Sequence, residues 1–569
     1  MAKEYPLYDQ KVIFRELRTM VEKVAEKYGD DPAFSYKENP TDEKKVTVSY
    51  EQVRRDVRAL GTALVEQGCR GEKCAIIASN SMGWAYAYFA LMAIGAVTVP
   101  LDHDWLVDDL SGAVEKAKCR YIFYSGDDAD KIEEVRSRCP GVKACFCIWG
   151  TPIQGDLCRV WLQSQGQKLL EAGDTTYDDY TLDPDALASI VFTSGTTGKG
   201  KGVMLSQSNI CYPMVEGQQL FQITRDCVCI LPLHHTFGST CNLVGHYGQG
   251  SHIYFSSGLR YFTKELTEQK PTHVMLVPLF LEKIYKKIWS TARKNGQEKL
   301  LRRMMGLSNV LRKIGIDARR KMFASILNLL GGNLELIVSG GAPLSPEVAG
   351  TFEAVGITII NGYGITECAP LISVNRNKLR KQGSVGRPVP GLDVKIANPD
   401  ELGDGEICVK GPNVMLGYYE DPDATAAVFD EEGYFRTGDL GHLDEDGWIY
   451  ITGRLKNLII LANGKNVYPE EIEYEIGRFD GTGEVVVYAG ESRADASREV
   501  IVAEIYPDPD FFASYDRESP KEYFGRLVSE LNSRMPSYKA VGLVKIRNTE
   551  FEKNTSKKIL RFAIDRTVD

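Results

Sequence analysis

The sequence predicts an α/β protein with a large N-terminal domain of two α/β subdomains and a small β-subdomain, followed by a smaller α+β C-terminal domain. Three observations predict it. Strand-like and helical segments alternate from Val46 to Tyr124, the pattern of a largely parallel sheet. Short apolar runs at Ala188–Phe192, Leu334–Val338 and Ile357–Ile360 each lead into a Gly-rich loop, where open α/β sheets bind ligands. From Gly383 to Arg454 short strands with Gly, Pro and Asp turns replace the alternation.

Taken in order, Ile13, Phe14, Leu17, Met20, Val21 and Val24 predict a helix over 13–28. A strand Val46–Val48, a helix Val53–Gln67, a strand Cys74–Ile77, a helix over 84–94 and strands at 97–101 and Tyr121–Tyr124 follow. The most apolar run, Ala85–Leu101, holds Gly95, Thr98 and Pro100 and falls short of the roughly 20 residues that span a bilayer. It reads as a buried helix running into a strand. The N-terminal stretch lacks the apolar core of a signal peptide, and the thirteen Cys include no C-x-x-C pair. These features predict a reducing, cytoplasmic setting with Cys as small buried hydrophobes. A net charge of -9 argues against nucleic-acid binding. The length of 569 residues suggests about four domains, and 43% hydrophobic with 25% charged residues is an ordinary globular composition.

The stretch Thr193–Val203, TSGTTGKGKGV, holds four Gly, three Thr, one Ser and two Lys in eleven positions. Such a loop at a strand end brings many backbone N–H groups to one oxyanion-rich group, and its hydroxyls and ammonium groups add charge-assisted hydrogen bonds. Val203–Leu205 leads to Ser206, an N-cap for the next helix. Gly195 to Lys201 matches the first seven positions of a Walker A loop, but Gly202 stands where Ser or Thr must hold Mg²⁺. That argues against a P-loop NTPase.

TSGTTGKGKGV resembles the phosphate loop of the adenylate-forming superfamily, which includes acyl-CoA synthetases, aryl-CoA ligases, luciferases and peptide-synthetase adenylation domains. Gly200 stands where Pro is usual, a departure expected to loosen the loop. Further matches follow over roughly the last two-thirds of the chain. The resemblance implies that Thr193, Ser194, Gly195, Thr196, Thr197, Gly198 and Lys201 hold the ATP phosphates. In Ser339-Gly-Gly341-Ala342-Pro343 and Asn361-Gly362-Tyr363-Gly364-Ile-Thr366-Glu367 it implies adenine against Tyr363 and Gly341, phosphate near Thr366, and Mg²⁺ on Glu367. A carboxylate suits a hard cation. Ser345 is expected to cap a helix that opens with Pro346.

Between these motifs, Cys227, Cys229, His234 and His235, with Cys241 and His246 nearby, invite a metal reading. Structural zinc uses C-x₂₋₄-C paired with a second unit, whereas C-x-C simply places both Cys on one face of a strand. The resemblance instead sets His235 of LPLHHTFG between acyl pocket and adenylate. From Lys283 to Lys321 thirteen Lys/Arg and two acids accompany apolar residues at helical spacing. A solvated face is the simpler reading, and a peripheral membrane contact is the alternative.

Toward the C-terminus the resemblance implies a ribose held by Asp439 and Arg454, and a hinge at Lys456 opening a mobile domain of residues 456–569. The N-terminal domain is then 1–455, with subdomains at about 1–182, 183–380 and 381–455. Leu458–Leu461 and Lys465–Val467 flank Asn463-Gly464, a short-hairpin signal, with Gly464 and Lys465 lining the implied CoA channel. Pro469 opens a helix; strands at 485–488 and 500–506 and a helix at 520–535 complete the domain. Lys558 falls at the catalytic-lysine position, with Lys557 replacing the common Gly.

The implied activity is an AMP-forming fatty acid–CoA ligase using ATP, Mg²⁺ and CoA, with Lys558, Glu367, Thr196 and His235 as catalytic residues. YGITECAPLISVNR and GRLKNLIILANGKNVYPEEIE look most like long-chain synthetases. Alternatives are a carrier-protein or aryl acid ligase, a non-catalytic nucleotide-binding protein, and a membrane-surface scaffold.

Overall fold

The computed structural model of the chain describes residues 7–193, 200–461, 466–492, 500–553 and 559–568. The chain divides into two compact units. The first comprises Met1–Asp393, Val409–Phe435 and Glu445–Ile449; the second comprises Val394–Cys408, Arg436–Asp444 and Tyr450–Asp569.

Two sheets organise the first unit. In an eight-stranded sheet, the strands Val97–Leu101, Lys73–Ile77, Tyr121–Ser125, Ala144–Trp149 and Leu157–Cys158 run parallel. Leu187–Thr193 joins parallel to Val97–Leu101 and turns back as the antiparallel partner Lys201–Ser206. The short strand Gly417–Tyr418 closes that edge. Helix Met82–Ala93 is buried on every face, as its uninterrupted apolar sequence requires. Ser81, Ser49 and Ser206 cap their helices by accepting backbone N–H bonds, Ser206 in a full capping box with Asn209.

In the nine-stranded sheet, His252–Phe255, Asp226–Cys229, His273–Leu276, Leu336–Ser339 and Thr358–Gly364 are parallel neighbours in that order. Pro32–Tyr36 and Val46–Ser49 extend one end, and Leu371–Val374 and Arg387–Pro388 the other. The two sheets therefore exchange chain: N-terminal strands serve the second sheet, and strands beyond residue 183 serve the first.

Several local expectations are corrected. The first helix is Leu17–Tyr28, because the Glu16 carboxylate accepts the N–H groups of Arg18 and Thr19 at 2.7 and 2.8 Å and starts the helix there. The strand expected at Ile357–Ile360 runs on through Gly364, because Gly362 and Tyr363 pair antiparallel with Val374 and Ser373. Helix Pro346–Val355 forms, but Ser345 makes no side-chain cap bond.

The second unit carries most of a four-stranded sheet, in order Asp393–Ala397, Gly405–Lys410, Phe435–Leu443 and Ile449–Arg454. It also holds a sheet in which Val500–Pro507 lies between Leu543–Ile546 and Thr482–Ser492, with helix Pro520–Asn532 closed by a Ser519/Glu522 capping box. Ile459 and Ile460 pair with Val467 and Asn466. Asn463 and Gly464, where the short-hairpin signal falls, lie outside the described residues. No disulfide joins any of the thirteen Cys, and all but Cys158 are buried. No described helix is long and apolar enough to cross a membrane.

Candidate active site

The predicted phosphate loop joins two neighbouring strands of the first sheet. Thr193 ends one strand and pairs with Lys201 at the start of the next, the Thr193 hydroxyl donating to the Lys201 carbonyl at 3.4 Å. Ser194, Gly195, Thr196, Thr197 and Gly198 lie outside the described residues. Gly200 packs closely rather than merely loosening the loop: a Cβ there would sit 2.7 Å from the Thr193 carbonyl oxygen. Its own carbonyl accepts a hydrogen bond from Lys116 Nζ at 3.0 Å.

Lys201 and Glu367 come from separate motifs and converge on a residue that sequence reasoning missed. The strand Gly417–Tyr418 pairs antiparallel with Lys201–Ser206, setting Tyr418 opposite Val203. The Lys201 ammonium stands 4.5 Å from the centroid of the Tyr418 ring. The Tyr418 hydroxyl donates to Glu367 Oε1 at 3.0 Å. Burial, reinforced by the adjacent carboxylate, pushes that hydroxyl well above the usual phenol range, so it remains a donor. Around it, Asn413 Nδ2 donates to the carbonyls of Cys368 and Leu371 at 3.1 and 2.9 Å, and the Met415 N–H donates to the Glu367 carbonyl at 2.8 Å. The 413–418 segment thus clasps the turn Thr366–Cys368 that carries Thr366 and Glu367. Nothing in GPNVMLGYY marks this role without the strand pairing.

The second sheet brings the other motifs together. Ser339 ends its strand and pairs there with Asn361, midway along Thr358–Gly364. A Cβ at Gly340 would lie 3.3 Å from the Gly362 carbonyl and 3.4 Å from the Phe237 ring, so these three segments meet closely at the glycine. Gly341 adopts φ +82°, and Gly341, Ala342 and Pro343 are exposed. Tyr363 is buried; Asn361, Gly362 and Gly364 are half-buried. Buried Ser339 Oγ and Asn361 Oδ1 have no hydrogen-bond partner among the described residues. Two orphan polar atoms beside glycines are what a polar ligand would satisfy.

His235 follows Asp226–Cys229 and contacts His234, ring centroids 4.3 Å apart and planes tilted by 55°. The Asn80 side chain fixes this turn, its amide donating to the Leu231 carbonyl at 2.7 Å and its oxygen accepting the Leu233 N–H at 2.9 Å. His234 Nε2 lies 3.4 Å from Asp102. Burial, helped by His235 and opposed by Asp102, drags His234 down to about 3. It is therefore uncharged at neutral pH.

In the second unit Arg454 Nε meets Asp439 Oδ1 at 2.6 Å, so the two expected ribose ligands form one ion pair. Asp439 is buried, and its N–H donates to the Thr437 hydroxyl at 3.0 Å. Lys456 is exposed in the turn Leu455–Asn457. Gly464, Lys465, Lys557 and Lys558 lie outside the described residues. Arg561, three residues beyond Lys558, is anchored by Glu473 and donates to the Val487 carbonyl at 3.1 Å.

Comparison with known proteins shows what the chain is similar to. A Mycobacterium bovis long-chain-fatty-acid–CoA ligase, FadD15, is 28% identical over 512 residues, covering 86% of this chain and 82% of the relative. Human long-chain-fatty-acid–CoA ligase 6 is 30% identical over 508 residues, covering 82% of this chain and 70% of the relative. The ATP-bound structure of MatB from Rhodopseudomonas palustris shares the fold with a TM-score of 0.73 at 21% identity, covering 96% of this chain and 97% of that one. The family described as AMP-binding enzyme matches residues 21–419, and the chain belongs to that family.

Proposed function

We propose that this chain is an AMP-forming acyl-CoA synthetase that activates a medium- or long-chain fatty acid through an acyl-adenylate and transfers it to CoA. The observation that carries the reading is the convergence of Lys201 and Glu367 on Tyr418, beside strand ends whose Ser339 and Asn361 keep unmet hydrogen-bonding capacity. The relatives' names favour fatty acids over aromatic acids.

In this reading the loop amides, Thr193, Ser194, Gly195, Thr196, Thr197, Gly198 and Lys201 grip the β- and γ-phosphates. Ser339 and Asn361 offer polar atoms to the nucleotide, with Gly341–Pro343 and Asn361–Gly364 flanking the adenine. Asp439 and Arg454 bind the ribose. Glu367, a hard oxygen donor held in place by Tyr418, fits Mg²⁺, which when bound would neutralise phosphate charge. Lys558 stabilises charge at the α-phosphate as the carboxylate attacks and pyrophosphate leaves. His235 borders the acyl group, and closure keeps water from the mixed anhydride. A turn at Lys456 then withdraws Lys558 and lets Gly464 and Lys465 line the thiol's approach. Separate half-reaction assays test this. Lys558→Ala should suppress adenylate formation far more than thioester formation from supplied acyl-adenylate; equal loss defeats the assignment. CoA should outperform a phosphopantetheinyl carrier protein as acceptor, and the reverse preference supports a carrier-protein ligase.

A second, compatible reading concerns the basic segment. On helix Glu298–Lys313 and at its C-cap Ile314, Leu300, Leu307, Val310 and Ile314 are 54%, 54%, 58% and 68% exposed amid Arg and Lys side chains. That combination suits a peripheral contact with an anionic bilayer. Cosedimentation with phosphatidylserine vesicles should fall in Leu307→Glu; equal binding by the variant refutes it.

A further inference from the structure

We propose that Cys227, His246 and His273 form a buried transition-metal site in the first unit, taking a thiolate- and imidazole-seeking ion of the Cu⁺ or Zn²⁺ class through one sulfur and two Nε2 atoms. Their candidate ligand atoms lie within 4.8 Å of one another. Cys227 is 2% exposed, and His246 and His273 are fully buried. Sequence spacing hides the set, since three elements supply it. Cys227 and His273 are register partners on adjacent parallel strands. His246 follows the π-helical stretch Phe237–Gly245, whose wider turn is a frequent mark of functional sites.

The surroundings fix both rings in the ligating tautomer. His246 Nδ1 lies 3.1 Å from the Cys241 carbonyl, which only accepts, so Nδ1 carries the proton and Nε2 the lone pair. His273 Nδ1 lies 2.9 Å from Thr224 Oγ1. That hydroxyl donates to Thr272 Oγ1 at 2.7 Å, which donates to the Asp226 carbonyl at 3.1 Å. The relay leaves Thr224 accepting from His273 Nδ1–H and leaves Nε2 bare. Neither Nε2 has a hydrogen-bond partner among the described residues. The rings stack at 4.7 Å with 7° between planes. Two bare acceptors thus share a dry space with one thiol, whose single hydrogen satisfies one of them at most. Metal-ligating imidazoles show this pattern, with the distal nitrogen held by a carbonyl or hydroxyl.

Charge favours the same class. With Nδ1 protonated and Nε2 bare, the two imidazoles are neutral ligands. Binding converts the thiol to a metal thiolate and releases one proton to solvent, with no change of oxidation state. Thiolate with Cu⁺ is charge-neutral and needs no fourth ligand; Zn²⁺ would leave one positive charge and take a water. The site sits about 10 Å along the strands from Ser339, given the three residue steps from His273 to Leu276, the register partner of Ser339. It is thus separate from the nucleotide-binding end.

The test titrates reduced, chelator-stripped full-length protein with Zn²⁺ and, in a second arm, Cu⁺ buffered by a competing chelator. Bound metal is counted by mass spectrometry and released protons with a pH indicator. One equivalent per chain, one proton per metal, and a thiolate-to-metal charge-transfer band on Co²⁺ substitution are expected. Cys227→Ser and His273→Gln should each abolish retention, whereas Cys229→Ser should keep it. No retention of either ion by the parent protein, or one equivalent surviving Cys227→Ser, overturns the proposal. Should a variant fail to fold, the parent's proton count and Co²⁺ band decide alone.

Discussion

The two ends of one set of parallel strands carry opposite chemistry. At the carboxyl-terminal end Ser339 Oγ and Asn361 Oδ1 are buried without a hydrogen-bond partner among the described residues, and the exposed run Gly341–Pro343 follows Ser339. At the amino-terminal end Cys227, His246 and His273 are buried. Hard polar atoms beside an exposed loop suit a polar ligand that must arrive and leave; soft donors within the sheet suit an ion that stays. The difference follows from topology, because strand carboxyl ends feed the loops that ligands reach in α/β sheets.

The largest expected effect breaks the open end. Glu367→Ala should lower acid-dependent pyrophosphate release by about 10³-fold, the scale of losing a catalytic electrostatic partner. A loss below tenfold would remove Glu367 from the chemistry. Tyr418→Phe, which keeps the ring beneath Lys201 and deletes the hydroxyl bond to Glu367, should cost about tenfold in kcat/KM. Tyr418→Ala should cost more than Tyr418→Phe, and equal effects would deny the ring a role.

The strand ends were legible where chemistry forces composition. Lys201, Glu367, Asp439 and Arg454 stand out in the sequence through the motifs of the resemblance, and the structure brings Lys201 and Glu367 to Tyr418 and pairs Arg454 with Asp439. Tyr418, Asn413 and Asn80 were not legible, since each acts through a strand or turn from elsewhere in the chain. The Cys227–His246–His273 cluster failed for the same reason: His273 joins only through sheet register. Helix Leu17–Tyr28 was misplaced by four residues because Ile13 and Phe14 fit the apolar period, while the Glu16 cap decides where the helix begins.

A smaller effect separates ligand binding from stability. Ser339→Ala should raise the ATP KM several-fold while leaving the melting temperature unchanged or slightly higher, since its buried hydroxyl has no partner to lose. A marked drop in melting temperature would instead make Ser339 structural. His234 sets a pH dependence. Its folded pKa of about 3 lies below the ordinary value of 6.5, so the unfolded chain takes up the proton first. Stability is retained above pH 6.5 and lost as pH falls toward 3, by up to about 1.4 kcal/mol per pH unit. Denaturant titrations of His234→Gln should show a shallower loss across that window, and an unchanged slope would contradict this.

Product analysis after incubation with ATP, Mg²⁺ and a fatty acid tests the central claim most directly. Adenylation predicts AMP and pyrophosphate in equal amounts, formed only when the acid is present. ADP and phosphate, or nucleotide turnover indifferent to the acid, would contradict it.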